Sequence, residues 1–234
     1  MKTERPLLSL IFLGSLFLIC FITYLRQVLY IQNFWHLITR TFYFFTSQSN
    51  FLVIIVLLLN FTPFQKNKYY PLVAFIALID ILLTGIVWNL IASPRNELLE
   101  IRQDFFTISL FRHLYIPVLY VFFFFSPALV PLHPFFTLKQ ASLAVIHPLF
   151  YLFYSLILAY GSQEKLYAYP YNFMNPNTKC NLSSLFLRFL PLDYYQQRQG
   201  FLGVFINNVV LFLCLILFIP VLYAGYRKIN ASNY

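Results

Sequence analysis

Charge is what this chain has least of. Only 10% of its 234 residues are Asp, Glu, Lys or Arg, against about a quarter in an average soluble domain. Glycine is also scarce, at six residues, and cysteine scarcer still, at three. Cys20 and Cys214 lie inside apolar runs and Cys180 stands alone in a long polar stretch. No CxxC or Cys/His ligand spacing occurs, so neither a disulfide framework nor a metal site is indicated, and nothing calls for a cofactor. What fills the space is apolar: 60% hydrophobic residues, 29 Phe, 18 Tyr and a mean hydropathy of +0.72. These proportions describe an integral membrane protein.

The formal net charge is +9. In a soluble protein such an excess would suggest nucleic acid, but here the cations are scattered singly or in pairs through short segments between apolar runs. They serve topology and anionic lipid, not nucleic acid.

Apolar segments of spanning length fall at about 7–25, 42–62, 71–91, 107–127, 140–160 and 203–224. The expected fold is all-α: a single domain over 1–234, a bundle of six transmembrane helices. MKTERP resembles a signal-peptide start, but the apolar stretch after it is too long and CFITYLRQ offers no cleavage site, so the first helix is read as retained. Six spans place both termini on one side, with Lys2, Arg5, Lys66, Lys68, Lys139, Arg227 and Lys228 in short segments. Longer loops carry the cations of the other side, so cation density favours cytoplasmic termini. The longest loop, 161–200, contains YAYPYNF, the N-x-S sequon at Asn181, and LRFLPLDYY, which reads as an amphipathic piece at the interface.

Polar groups inside spans are costly and usually face inward. Five places carry them: TSQSN (Thr46 to Asn50) on the second helix, Asp80 and Asn89 on the third, His113 on the fourth, His147 on the fifth, and the Asn207–Asn208 pair on the sixth. At about 1.5 Å of rise per residue, Thr46 is about 6 Å inside its span and His113 about 9 Å inside the next, both from the loop-rich side. Thr46, Asn50, Asn89 and His113 could share one layer, with Asp80 and His147 in a deeper one. Thr46, Ser49 and Asn50 fall on one helix face, leaving Ser47 and Gln48 to point elsewhere. A hydroxyl and an amide facing an imidazole at equal depth have the parts for acyl transfer. The same residues also serve as plain packing: Thr, Ser and Asn bond between helices or back onto their own carbonyls. His113 could be interfacial, with Arg112 snorkelling outward, and His147 could serve a carbonyl freed by Pro148. Asp80 could relay protons or bond to Asn207 or a Tyr.

Read in order, the motifs resemble those of the six-transmembrane family of androgen-induced and androgen-dependent membrane proteins, which has bacterial members. FYFFTSQSNFLV resembles the family's second helix, TGIVWNLI its third and RHLYIP the His-x-x-x-Pro opening of its fourth. HPLFYLFYSLILAYG with YAYPYNF resembles its fifth helix and the loop after it, and GFLGVFINNVVLF its last helix. The chain departs from the pattern at Asn172, where a proline is usual, and at Arg112, where bacterial relatives carry an apolar residue. Vertebrate members are threonine-dependent hydrolases of fatty-acid esters of hydroxy fatty acids. The resemblance implies Thr46 as nucleophile and His113 as base, acting on a membrane lipid or lipophilic ester; from their place beside Thr46, Asn50 and Asn89 are the expected oxyanion or substrate contacts. It also implies a bacterial cytoplasmic membrane. The rival expectation is a lipid or solute carrier, or a scaffold, with a polar track through Asp80, His147 and the Asn207–Asn208 pair. Phe residues on helices four and five are expected to receive an acyl chain. Oligomeric state has no sequence signal.

Overall fold

The computed structural model of the protein describes residues 7–29, 43–88, 108–126, 136–161, 169–177 and 200–231. Among these residues the regular structure is helical throughout. Helix α1 covers Leu7–Leu29 and α2 covers Phe45–Asn60. After a 3-10 turn at Pro63–Lys66, α3 runs over Tyr70–Val87. Helix α4, Ile108–Phe125, is α-helical except for a π-helical turn at Phe111–Tyr115. Helix α5 comprises Leu138–Ala141, a 3-10 stretch at Ser142–Val145, and Ile146–Gly161. A short 3-10 turn at Asn172–Met174 precedes α6, Gly200–Ala231.

Local sequence explains several of these boundaries. Thr62 accepts from the N–H of Phe64 to start the 3-10 turn, and Pro71 sits in the first turn of α3, where its missing N–H costs nothing. Thr137 and Gln140 make a reciprocal capping box at the head of α5. Phe44, by contrast, is extended and offers no side-chain cap to α2.

Among the described residues, four helices are long and apolar enough to cross a membrane: α3, α4, α5 and α6. Ser9–Leu25 of α1 and α2 are shorter apolar helices. The outward faces of α5 and α6 are apolar, with Phe150 70% and Leu217 69% exposed, as lipid contact requires and water would penalise. Asn89, the Asn181 sequon and LRFLPLDYY lie outside the described residues.

Long-range contacts define two ends. At one, the Tyr120 phenol donates to Ala74 C=O and the Tyr223 phenol to Phe136 C=O, so the start of α3, the end of α4, the start of α5 and the end of α6 meet there. Phe75, Phe124, Phe136 and Tyr226 fill that end with contacting rings, Phe136 stacking on Tyr226 at 4.7 Å. Lys66, Lys68, Lys139, Arg227 and Lys228 belong to segments at this end. The opposite end gathers the start of α2, the end of α3, the start of α4, residues 171–174 and the start of α6.

One glycine makes that second end possible. A Cβ at Gly85 would lie 3.0 Å from the His113 carbonyl oxygen and 3.3 Å from the Pro117 ring, so the backbone of α3 lies against both the main chain and a side chain of α4 here. Gly85→Val should push the two helices apart at a cost of about 1–3 kcal/mol. Thermal unfolding in detergent checks this, and an unchanged midpoint would mean that the contact is slack.

Candidate functional site

Helix α2 begins at Phe45, so Thr46 sits in its first turn and not, as the expected span from residue 42 implied, well inside the helix. Its side chain is buried at 8% exposure, as is that of His113. The two meet: Thr46 Oγ1 lies 3.3 Å from His113 Nε2. The other ring nitrogen, Nδ1, is 2.7 Å from the carbonyl oxygen of Ser109. A carbonyl can only accept, so Nδ1 carries the proton, and in the neutral ring Nε2 offers a lone pair to the Thr46 hydroxyl. The orienting group that a general base needs is thus main-chain, one turn before His113 at the edge of the π-helical stretch. Trp88 stacks on the imidazole at 4.1 Å and 15°.

Thr46 has a second partner. The Tyr171 phenol oxygen accepts from the Thr46 N–H at 3.2 Å and lies 3.2 Å from Thr46 Oγ1. Since Phe44 supplies no cap, a tyrosine 125 positions away satisfies a first-turn donor of α2. Burial raises the Tyr171 pKa, so the phenol keeps its proton and is available as a donor. Tyr171 stacks on Phe173, and the carbonyl of Phe173 accepts from Asn207 Nδ2 at 2.8 Å, tying the loop to α6.

The remaining polar residues of TSQSN divide among neighbours. Ser47 accepts from Arg112 Nη2 at 2.8 Å, so Arg112 is turned inward and does not snorkel. Ser49 donates to Phe45 C=O and accepts from Thr84, a bond between α2 and α3. Asn50 donates to Thr46 C=O, its Oδ1 is buried without a partner among the described residues, and it does not line the cavity beside Thr46. Its amide is therefore committed to its own helix and not turned toward an ester at Thr46. Asn89 lies outside the described residues.

Gln48 belongs to a second cluster. His147 Nδ1 is 2.7 Å from Asp80 Oδ2 and its Nε2 is 2.9 Å from Gln48 Oε1, with Phe45 stacked on the ring at 5.2 Å. Asp80 is fully buried and His147 30% exposed. Asp80 thus bonds to His147, and Asn207, named as a possible partner, bonds to the loop instead. Asn208 donates to Val204 C=O on its own helix. No group of three His, Cys, Asp or Glu among the described residues could hold a metal ion.

Thr46 opens onto a partly open, apolar cavity. Its walls come from α3, α5, α6 and the loop, including Val87, Trp88, Leu152, Tyr171, Met174 and Phe212. The phenylalanines of α4 and α5 are not among its lining residues; Phe122, Phe150 and Phe153 are exposed on the outer surface. Compared with protein-family models, curated proteins and solved structures, the chain matches none.

Tyr171, Trp88 and Gly85 are the residues that sequence reasoning passed over. Tyr171 and Trp88 stand in the motifs YAYPYNF and TGIVWN, but spacing alone cannot say that the first reaches Thr46 or that the second covers His113.

The Asp80–His147 pair has a stability consequence. Removing His147 leaves a fully buried carboxylate unpaired, so His147→Ala should cost about 3–5 kcal/mol. A double Asp80→Leu, His147→Leu replacement should recover much of that loss, because no charge is then buried. Thermal unfolding of both variants decides; a double variant no more stable than the single would show that the pair is not a buried-charge problem.

Proposed function

We propose that this chain is an intramembrane lipid-ester hydrolase with Thr46 as nucleophile and His113 as general base, working in a six-span bundle. The observation that carries the proposal is the oriented chain Ser109 C=O, His113 Nδ1–H, His113 Nε2, Thr46 Oγ1, with the hydroxyl at the mouth of an apolar cavity. A resemblance to the androgen-induced and androgen-dependent family, carried by the motifs around these residues, supports the same pair.

The steps follow from the atoms in place. His113 Nε2 takes the Thr46 hydroxyl proton as Oγ1 attacks the ester carbonyl carbon. The negative charge that develops on the carbonyl oxygen faces the positive end of α2 and can accept from the Tyr171 phenol. When the intermediate collapses, the alcohol leaves with the proton from His113 and the acyl group stays on Thr46. A water then gives its proton to His113 while attacking the acyl-threonine. Collapse returns that proton to Oγ1 and releases the fatty acid. The balance is ester and water to acid and alcohol, with no cofactor. Substrate reaches a site of this kind sideways from the bilayer, between helices.

The cation-bearing end of the bundle would face the cytoplasm, with both termini, which puts Thr46 near the opposite leaflet of a bacterial cytoplasmic membrane. A carrier or scaffold is the second reading, favoured by the Gln48–His147–Asp80 chain, which could pass a proton through the bundle.

Fluorophosphonate labelling of the purified protein separates the two. The hydrolase reading expects wild type to label, Thr46→Ala and His113→Ala to lose all labelling, and Asp80→Asn largely to retain it. Tyr171→Phe should lower ester turnover about 10²–10³-fold, the cost of one oxyanion donor. A well-folded wild type that neither labels nor turns over ester would move the assignment to the carrier.

A further inference from the structure

Arg112 carries a charge that the chemistry at Thr46 does not use. Its guanidinium presents several N–H donors in a planar fork, and among the described residues its one hydrogen-bond partner is Ser47 Oγ, 2.8 Å from Nη2. Serine is neutral, so this bond leaves the charge unbalanced. Of the seven acidic residues in the chain, Asp80 alone is among the described residues, and it pairs with His147. A cation held between apolar helices without an anion is costly, and a side chain as long as arginine ordinarily escapes by reaching out to water. Arg112 turns inward instead and is half-buried. The phenols of Tyr171 and of Tyr24 on α1 lie within electrostatic reach of it, and α1 packs against the π-helical turn that carries it. The polar groups described around the guanidinium are thus hydroxyls and not carboxylates.

Depth selects the anion. Arg112 is the fifth residue of α4 and Ser47 the third of α2, both at the same end of the bundle. At the helical rise each lies within about 6 Å of its helix end, close to the level at which phospholipid phosphates lie. Neither residue lines the cavity beside Thr46, so the space they face is not the one an ester at Thr46 would occupy.

We propose that Arg112, held by Ser47 between α1, α2 and α4, binds the phosphate of an anionic membrane phospholipid. A guanidinium matches two phosphate oxygens with two parallel N–H bonds, which an ammonium does not. The phosphate supplies the negative charge that no described residue brings to Arg112, and the bilayer delivers it at the right depth. The lipid is a bound partner and not a substrate, so the inference stands apart from ester hydrolysis and is read by binding.

Thermal unfolding of the full chain in dodecyl maltoside tests this, with phosphatidylglycerol, phosphatidylcholine, inorganic phosphate or nothing added. Phosphatidylglycerol at about a hundredfold excess over its Kd should raise the wild-type midpoint by about 5–10 °C. Phosphatidylcholine, whose choline offsets its phosphate, should raise it much less. Arg112→Met keeps an unbranched side chain and loses the charge. Without lipid it should unfold above wild type, because no cation is left unbalanced, and it should gain nothing from phosphatidylglycerol. Native mass spectrometry should find more phosphatidylglycerol retained on wild type than on this variant. If Arg112→Met does not fold, Arg112→Lys takes its place and should bind phosphatidylglycerol more weakly than wild type; equal binding would overturn the role of the guanidinium. An Arg112→Met protein that unfolds below wild type, with phosphatidylglycerol stabilising neither, would mean that an acidic residue of this chain already balances the charge. Equal stabilisation by inorganic phosphate would overturn the lipid as source of the anion, and an equal gain from phosphatidylglycerol in both proteins would put the lipid elsewhere.

Discussion

A polar group surrounded by hydrocarbon has no water to bond with, and this constraint organises the structure. The end of the bundle that holds Thr46 contains an unusual number of such groups, and they satisfy one another across helices. The first turn of α2 has no cap of its own, so one of its donors is met by the phenol of Tyr171. His113 is held by a main-chain carbonyl, Ser47 takes a guanidinium bond, and His147 bridges Asp80 to Gln48. Removing any one of these partners strands another in a medium that offers no replacement.

The same constraint makes the Thr46–His113 contact chemically informative. A histidine bonded on Nδ1 to an acceptor has its tautomer chosen for it, and the lone pair on Nε2 then points where the geometry sends it, toward a hydroxyl. The π-helical turn and the close approach at Gly85 bring that nitrogen to α2. Local departures from ideal helix geometry of this kind are common at functional sites. At the far end, the rings of Phe75, Phe124, Phe136 and Tyr226 fill the space between the helices.

The two buried clusters are neighbours along α2 but differ in kind. Thr46 faces a cavity and the Nε2 of an imidazole; Gln48, two residues on, closes a chain that ends in a buried carboxylate. Ser49 and Asn50 do what polar residues in apolar helices ordinarily do, one bonding across to α3 and one back onto its own carbonyl. The five residues of TSQSN thus divide between bonds that tie helices together and a hydroxyl that faces the cavity.

By itself the sequence determined the helical class, the membrane setting, the approximate extent of the apolar segments and the concentration of polar groups in a few places. Each of these depends on composition and on the rise of a helix, which are local quantities. It also placed Thr46 and His113 at comparable depth, since depth follows from counting residues. Only the tertiary structure decided which groups touch. That Tyr171 reaches Thr46, that Asp80 meets His147 and not Asn207, that Asn50 turns back on its helix, and that the cavity is walled by α2, α3, α5 and α6 without the phenylalanines of α4 and α5 all depend on helix rotation. Rotation about an axis is set by how every neighbour packs, and a chain rich in apolar residues on all sides of its helices leaves no amphipathic stripe from which to read it.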